Sequence, residues 1–197
     1  MRIMKQSFAI VLLSACFAVS EARGSAIVVS FASDGSDCTG SFAIGPVTWY
    51  LVALLDGGPT GSGITGAEFR QTGTPEGWFL NAVASPSSII NVGSPITPNG
   101  AWIGFPSCQT GSFVLLYTVS GFAPTQVTNH CLNIEAHAFP SNPQFTCPLF
   151  TLCDAPVFTR ICVPGRSGII GGDGCDGCTV VGVESKSWSE VKALYTN

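Results

Sequence analysis

Charge is scarce in this chain: Asp, Glu, Lys and Arg make up only 10% of its 197 residues, and the formal net charge is −4. The eight Lys and Arg stand singly, without the basic cluster that neutralises a run of phosphates, which argues against nucleic acid as a partner. Histidine is reduced to two residues, and His137, sharing the outward face of its strand with Glu135, reads as a solvated surface group. His130 has no Gly-x-Ser-x-Gly nucleophile elbow to work with, so nothing in the sequence supports a Ser-His-Asp triad. Glycoside hydrolysis needs two acids facing one cleft, whereas Glu68 and Glu135 alternate outward beside polar neighbours and read as a solvated face. No D-x-D-x-D-G frame is complete; Asp34, Asp37, Asp173 and Asp176 lie in Gly-containing loops whose oxygens suit Ca²⁺, the one cofactor left open. No catalytic residue is assigned. There is no internal repeat, no coiled-coil heptad and no apolar run of the ~20 residues that a membrane-spanning helix requires.

What is present is apolar and turn-rich: 46% hydrophobic residues, with 23 Gly and 13 Pro. Many short strands joined by tight turns fit that balance. The length suffices for one domain with a substantial core. Residues 1–22 read as an export signal, with a positive start carrying Arg2 and Lys5, an apolar stretch over 8–19, and small residues at Ser20 and Ala22. Cleavage after Ala22 is the first expectation. Leu13-Ser-Ala-Cys16 also resembles the lipobox of bacterial lipoproteins, in which Cys16 is lipidated, making a lipid-anchored envelope protein the alternative to a secreted or cell-surface one.

Either route removes Cys16 from the nine cysteines and leaves an even set: Cys38, Cys108, Cys131, Cys147, Cys153, Cys162, Cys175 and Cys178. Export brings an oxidising environment, so all eight are disulfide candidates. Three pairings are expected: Cys147 with Cys153 across a local loop, Cys131 with Cys162 on successive strands, and Cys38 with Cys108 between turn-rich segments. Cys175-Asp-Gly-Cys178 has the spacing of a zinc or thiol-redox motif. It sits among glycines rather than at a helix start, and a disulfide suits it better.

Alternation places strands at 26–31, 47–55, 64–72, 78–84, 101–105, 113–119, 131–138 and 157–163. Residues 47–55 are apolar on both alternating faces, as in a central strand covered on both sides. In 113–119, Phe113, Leu115, Tyr117 and Val119 share one face and Val114 and Leu116 the other. About eight strands separated by turn signals give an all-β, two-sheet antiparallel sandwich of immunoglobulin-like type over 25–164. A Gly/Cys-rich linker follows over 165–180 as the candidate domain boundary. In the last segment, 181–197, Ser187-Trp-Ser-Glu190 forms a capping box, and Trp188, Val191, Leu194 and Tyr195 recur at helical spacing. A helix this short needs something to dock on, which makes these four residues a candidate docking face.

The order of features over 46–77 resembles cohesin domains: an apolar strand, Val47-Thr-Trp-Tyr-Leu-Val-Ala-Leu-Leu55, then a Gly-rich turn, then Ile64-Thr-Gly-Ala-Glu-Phe-Arg70. Phe113-Val-Leu-Leu-Tyr-Thr-Val119 takes the place of a later cohesin strand. The likeness covers about half the chain and rests on hydrophobic pattern. It implies the cohesin-like sandwich; cohesins bind dockerins, but no residue here maps onto a dockerin-contacting motif, so no binding site is carried over. The stretch 140–158 is similar to segments of uncharacterised secreted bacterial proteins, which bring no activity with them.

A stapled sandwich without a catalytic constellation is expected to be a non-enzymatic extracellular or cell-surface adhesion protein with a protein or glycan partner. The alternative is a carbohydrate-binding module in which Trp78 and Trp102, each at a strand start, stack on sugar rings; Trp49, in the most buried strand, belongs to the core. A secreted hydrolase comes third.

Overall fold

The computed structural model describes residues 24–172 and Cys175. The export signal with Cys16, the other cysteine of the C-x-x-C pair, Cys178, and the expected helix of Trp188, Val191, Leu194 and Tyr195 lie outside the described residues. Among the described residues there is no helix. In chain order the strands are β1 (Ala26–Ser30), β2 (Thr39–Gly40), β3 (Gly45–Leu54), β4 (Ile64–Thr72), β5 (Phe79–Ala84), β6 (Ile90–Ser94) and β7 (Gly100–Gln109). They continue as β8 (Phe113–Ala123), β9 (His130–Glu135), β10 (Leu149–Leu152), β11 (Arg160–Cys162), β12 (Gly165–Arg166) and β13 (Gly168–Ile170).

Two sheets result. The smaller runs β12-β1-β3-β8-β5; the larger runs β11-β10-β4-β9-β13-β2, with β7 on the other edge of β4 and β6 beyond it. Their inner faces share one core, in which Ile27, Val47, Trp49 and Leu51 of the smaller sheet meet Phe69, Ile103, Leu132 and Phe150 of the larger. This is the expected all-β sandwich.

Strand β3 is central, as its two apolar faces require, lying between β1 and β8. Its outer face is covered too: Val52 joins Ala26 and Val28 in a second buried cluster, and the turn at Gly35 folds over it. A Cβ at Gly35 would stand 2.9 Å from Leu54 Cδ2, and its φ of 78° is one that glycine adopts freely.

Strand β8 departs from simple alternation. The β3–β8 register shifts between Leu51 and Val52, so Leu51 faces Tyr117 while Val52 faces Leu115. The extra residue turns both Leu116 and Tyr117 inward, fully buried, and leaves Phe113 45% exposed.

The expected linker over 165–180 is corrected at its start. Gly165–Arg166 pairs parallel to β1, and Gly168–Ile170 pairs with both β9 and β2, so the Gly-rich stretch stitches the two sheets together rather than ending the domain. The Ser/Pro/Asn-rich connection after β5 likewise contains a strand, β6.

The three expected disulfide pairings are corrected as well. Cys108 joins Cys153, Cys131 joins Cys175, and Cys147 joins Cys162; Cys38 is also disulfide-bonded. Register explains the first. Gln109 of β7 and Leu152 of β10 both pair with Ile64, so Cys108 and Cys153 meet over the start of β4, where a side chain at Gly63 would lie 2.6 Å from Cys108 Sγ. Cys147 reaches Cys162 because β10 and β11 are antiparallel neighbours. Cys131 does not meet Cys162 because β9 pairs with β4 and β13, not with β11.

Candidate functional site

The outward face of the larger sheet carries a hollow that several strands build together. Because Ala67, Phe69, Ala101 and Ile103 point into the core, Gly66, Glu68, Trp102 and Gly104 point out. The register sets them in two rows across the strands. One runs Val92–Trp102–Glu68–Leu149, and the other Ile90–Gly104–Gly66–Thr151–Arg160. Gly66 leaves a floor without a side chain, while the Ile90 side chain lies over Gly104, its Cβ 3.2 Å from where a Cβ would stand; the result is a hollow of about 240 Å³ bordered by Ile90 and Trp102 on one side and Ser141, Thr151 and Arg160 on the other. A second hollow of about 480 Å³, lined by Phe145, Val157 and Phe158, shares Thr151 and Arg160 with the first. Together they make one trough.

The connection 136–148 between β9 and β10 forms the trough's wall. His137 lies against the Trp102 indole with ring centroids 5.4 Å apart. Ser141 donates its backbone N–H to Glu68 Oε1 at 2.8 Å, and Arg160 Nη1 donates to Ser141 Oγ at 2.9 Å. The Cys147–Cys162 disulfide fixes the end of this connection to β11.

Glu68 corrects the reading of it as a solvated acid: this wall leaves it only 8% exposed. Its Oε1 accepts from Ser141, and Oε2 has no hydrogen-bond partner among the described residues. Oε2 is not among the unpartnered atoms sealed from solvent, so it faces open space, and with Glu68 lining the hollow it is an acceptor within reach of whatever enters the trough. Glu135 is placed elsewhere. It takes a salt bridge from Arg70 at 2.7 Å and a hydrogen bond from the Thr72 hydroxyl, an arrangement within the sheet and not a second acid beside Glu68.

Of the two candidate sugar-stacking residues, Trp102 is exposed at 38% and lines the trough. Trp78 is corrected: at 8% exposed it packs edge-on to Phe42 in the core, with ring centroids 6.2 Å apart, and offers no platform. Trp49 is fully buried, as expected. Ser141, Thr151 and Arg160 carry no signal of their own in the sequence; Gly66 and Gly104, glycines inside strands, are the sign of a close backbone approach that points to this face.

The remaining polar groups are engaged in structure. His130 Nε2 bonds the Gly73 carbonyl and His137 Nδ1 bonds the backbone of Phe139. Asp34 closes a turn on the Ser36 hydroxyl and N–H, which hold its carboxyl below the usual range; Asp37 accepts from the Thr39 N–H and hydroxyl in a like turn. Asp173 and Asp176 fall outside the described residues, and among those described no group of three His, Cys, Asp or Glu is arranged to hold a metal ion. Asp56 is held below its ordinary value by the Ser25 hydroxyl, and Asp154 by the Thr159 hydroxyl. Burial pushes the Tyr117 hydroxyl well above the usual range for a phenol; it donates to Asn91 Oδ1 at 2.6 Å.

Among solved structures, the chain is similar to a cohesin module from a Clostridium perfringens family 33 glycoside hydrolase, with a TM-score of 0.46 and 12% identity over 76% of this chain and 97% of that one. No protein-family model matches the chain, and no curated protein matches it. The class is therefore defined by the chain's own geometry: a disulfide-bonded, all-β, two-sheet sandwich. No helix among the described residues is long and apolar enough to cross a membrane.

Proposed function

We infer that this is a non-enzymatic binding protein of the cell exterior, and that the partner is held in the trough on the outer face of the larger sheet. The observation that carries this reading is the 38% exposure of Trp102 beside a glycine floor and a buried carboxylate with an unused oxygen. Exposed aromatics in a concave, mainly apolar site with a few convergent polar groups are the usual anchors of recognition. Support for the exterior comes from the three disulfides between described residues and the bonded state of Cys38, since such bonds persist in oxidising compartments. Support for binding over hydrolysis comes from the separation of the parts. Glu68 has no second acid in its trough, and both imidazoles are bonded to backbone.

The test is retention of fluorescently labelled full-length protein on the surface of the cells that export it. The wild type is expected to be retained, and a Trp102→Ala, Arg160→Glu variant with unchanged thermal stability is expected to wash off. Equal retention of the two would overturn this reading.

A further inference from the structure

We propose that the trough binds a neutral oligosaccharide lying across the strands, with one ring stacked on Trp102; this rests on the trough being the binding site. The direction of the trough decides between ligand classes. It crosses β7, β4, β10 and β11; the first three are paired on both sides, and the outer edge of β11, which ends the sheet, runs along the strands and not along the trough, so a ligand lying across the strands has no main-chain edge to pair with. Recognition has to come from side chains.

Those side chains are a flat aromatic, a carboxylate acceptor, a donor fork and hydroxyls. Trp102 is braced by His137, so its indole plane is set before a ligand arrives. Glu68 Oε2 is the unpartnered acceptor in a residue more than nine-tenths buried, and a sugar hydroxyl is a donor of the right kind. Arg160, on the far side of the floor, offers guanidinium donors beyond the one given to Ser141, and Thr151 adds a hydroxyl. Between them, Gly66 lets a flat ring approach the backbone, beside the Ile90 side chain that covers Gly104.

One carboxylate and one guanidinium leave the trough without net charge, which favours neutral sugars over uronates. From β7 to β11 the trough covers three strand spacings, roughly 14 Å, room for several linked rings. Phe158, 48% exposed in the adjoining hollow, gives the far end a second aromatic.

The experiment is a ¹H–¹⁵N NMR titration of the full-length oxidised protein with cellohexaose, mannohexaose, chitohexaose and, as the acidic arm, hexagalacturonate, each to millimolar concentration. At least one neutral hexaose is expected to move the Trp102 indole signal and to bind at least about tenfold more weakly to Trp102→Ala, the effect of truncating an aromatic anchor. Glu68→Gln, which keeps size and the Ser141 contact, is expected to weaken binding several-fold while leaving the spectrum of the free protein folded. No shift at Trp102 with any neutral hexaose, binding of hexagalacturonate alone, or binding unchanged by Trp102→Ala would each overturn the proposal. If the sugars fail while cell-surface retention still depends on Trp102 and Arg160, the saccharide is wrong and the binding trough stands; if retention is indifferent to both, the trough itself is wrong.

Discussion

The Trp49 indole N–H donates to Gln71 Oε1 at 2.8 Å, a bond that spans the core from β3 of the smaller sheet to β4 of the larger, with Trp49 fully buried and Gln71 only 2% exposed. It fixes how the sheets sit on one another, because the glutamine has nowhere else to place its oxygen. Replacing one partner strands the other. Gln71→Leu is therefore expected to cost about 1–3 kcal/mol through the unsatisfied indole, and Trp49→Phe to cost at least as much because it also leaves a void. The double variant should cost less than the sum by about 1 kcal/mol. Urea unfolding of all four proteins checks this, and strict additivity would show that the bond contributes nothing to holding the sheets together.

The residues around that bond show what sequence pattern can carry. Residues 47–55 are apolar on both faces, and the central, doubly covered strand followed from that alone. The limits of β4 were equally legible, since Ile64 and Thr72 bound an alternating run between glycine turns. Glu68 was misread because period two says only which face a side chain takes. What covers that face is the connection 136–148, more than sixty residues away, and no local pattern announces it. The disulfides failed for the same reason: Cys108 and Cys153 are neighbours only because both flank β4. Strands β12 and β13 are two and three residues long and rich in glycine, below the length at which alternation can be read. Trp102 was visible as an aromatic at a strand start, whereas Arg160 and Ser141 join its site only through the folded register.

Acid should weaken the fold in a way that can be traced to single hydroxyls. The Ser25 hydroxyl bonds the Asp56 carboxylate and holds its pKa below the ordinary 3.8, so the unfolded chain takes up the proton first as pH falls. The stability this contributes is complete above about 3.8, the ordinary value, and is lost as pH drops through the depressed folded-state value; Asp34 and Asp154 act with the same sign. Ser25→Ala should raise the Asp56 value toward 3.8 in a ¹³C carboxyl titration. The stability gap between wild type and variant should be constant near neutrality and shrink in acid. An Asp56 titration unmoved by the substitution would dismiss the hydroxyl as its cause.

Removing disulfides should rank by the chain they enclose. Cys147–Cys162 closes a separation of 15 residues and Cys108–Cys153 one of 45. On the chain-entropy account the shorter bridge contributes about 3 kcal/mol and the longer about 1 kcal/mol more. Paired Cys→Ala variants measured by urea unfolding test the order. The shorter bridge also anchors the wall that holds Ser141 over Glu68, so its loss should weaken ligand capture, while loss of the Cys108–Cys153 bridge should leave capture nearly intact.

The wall can be disturbed from beneath without touching any group in the trough. Gly100, at the start of β7, has a φ of 94°, and a Cβ there would lie 2.5 Å from the Phe69 carbonyl oxygen and 2.9 Å from the His137 ring. Gly100→Ala therefore has to displace backbone as well as the imidazole that braces Trp102, and should cost more than about 1 kcal/mol. Gly77→Ala is the matched control, since Gly77 has a φ of 78° but nothing within 4 Å of its Cβ position, so only the left-handed backbone resists, at roughly 1 kcal/mol. Both variants should lower the thermal midpoint, Gly100→Ala by more. Only Gly100→Ala should move the Trp102 indole N–H resonance, because only there does the added methyl meet His137. An indole signal equally unmoved in both would mean that His137 does not set the orientation of Trp102, and the preorganised platform would lose its physical basis.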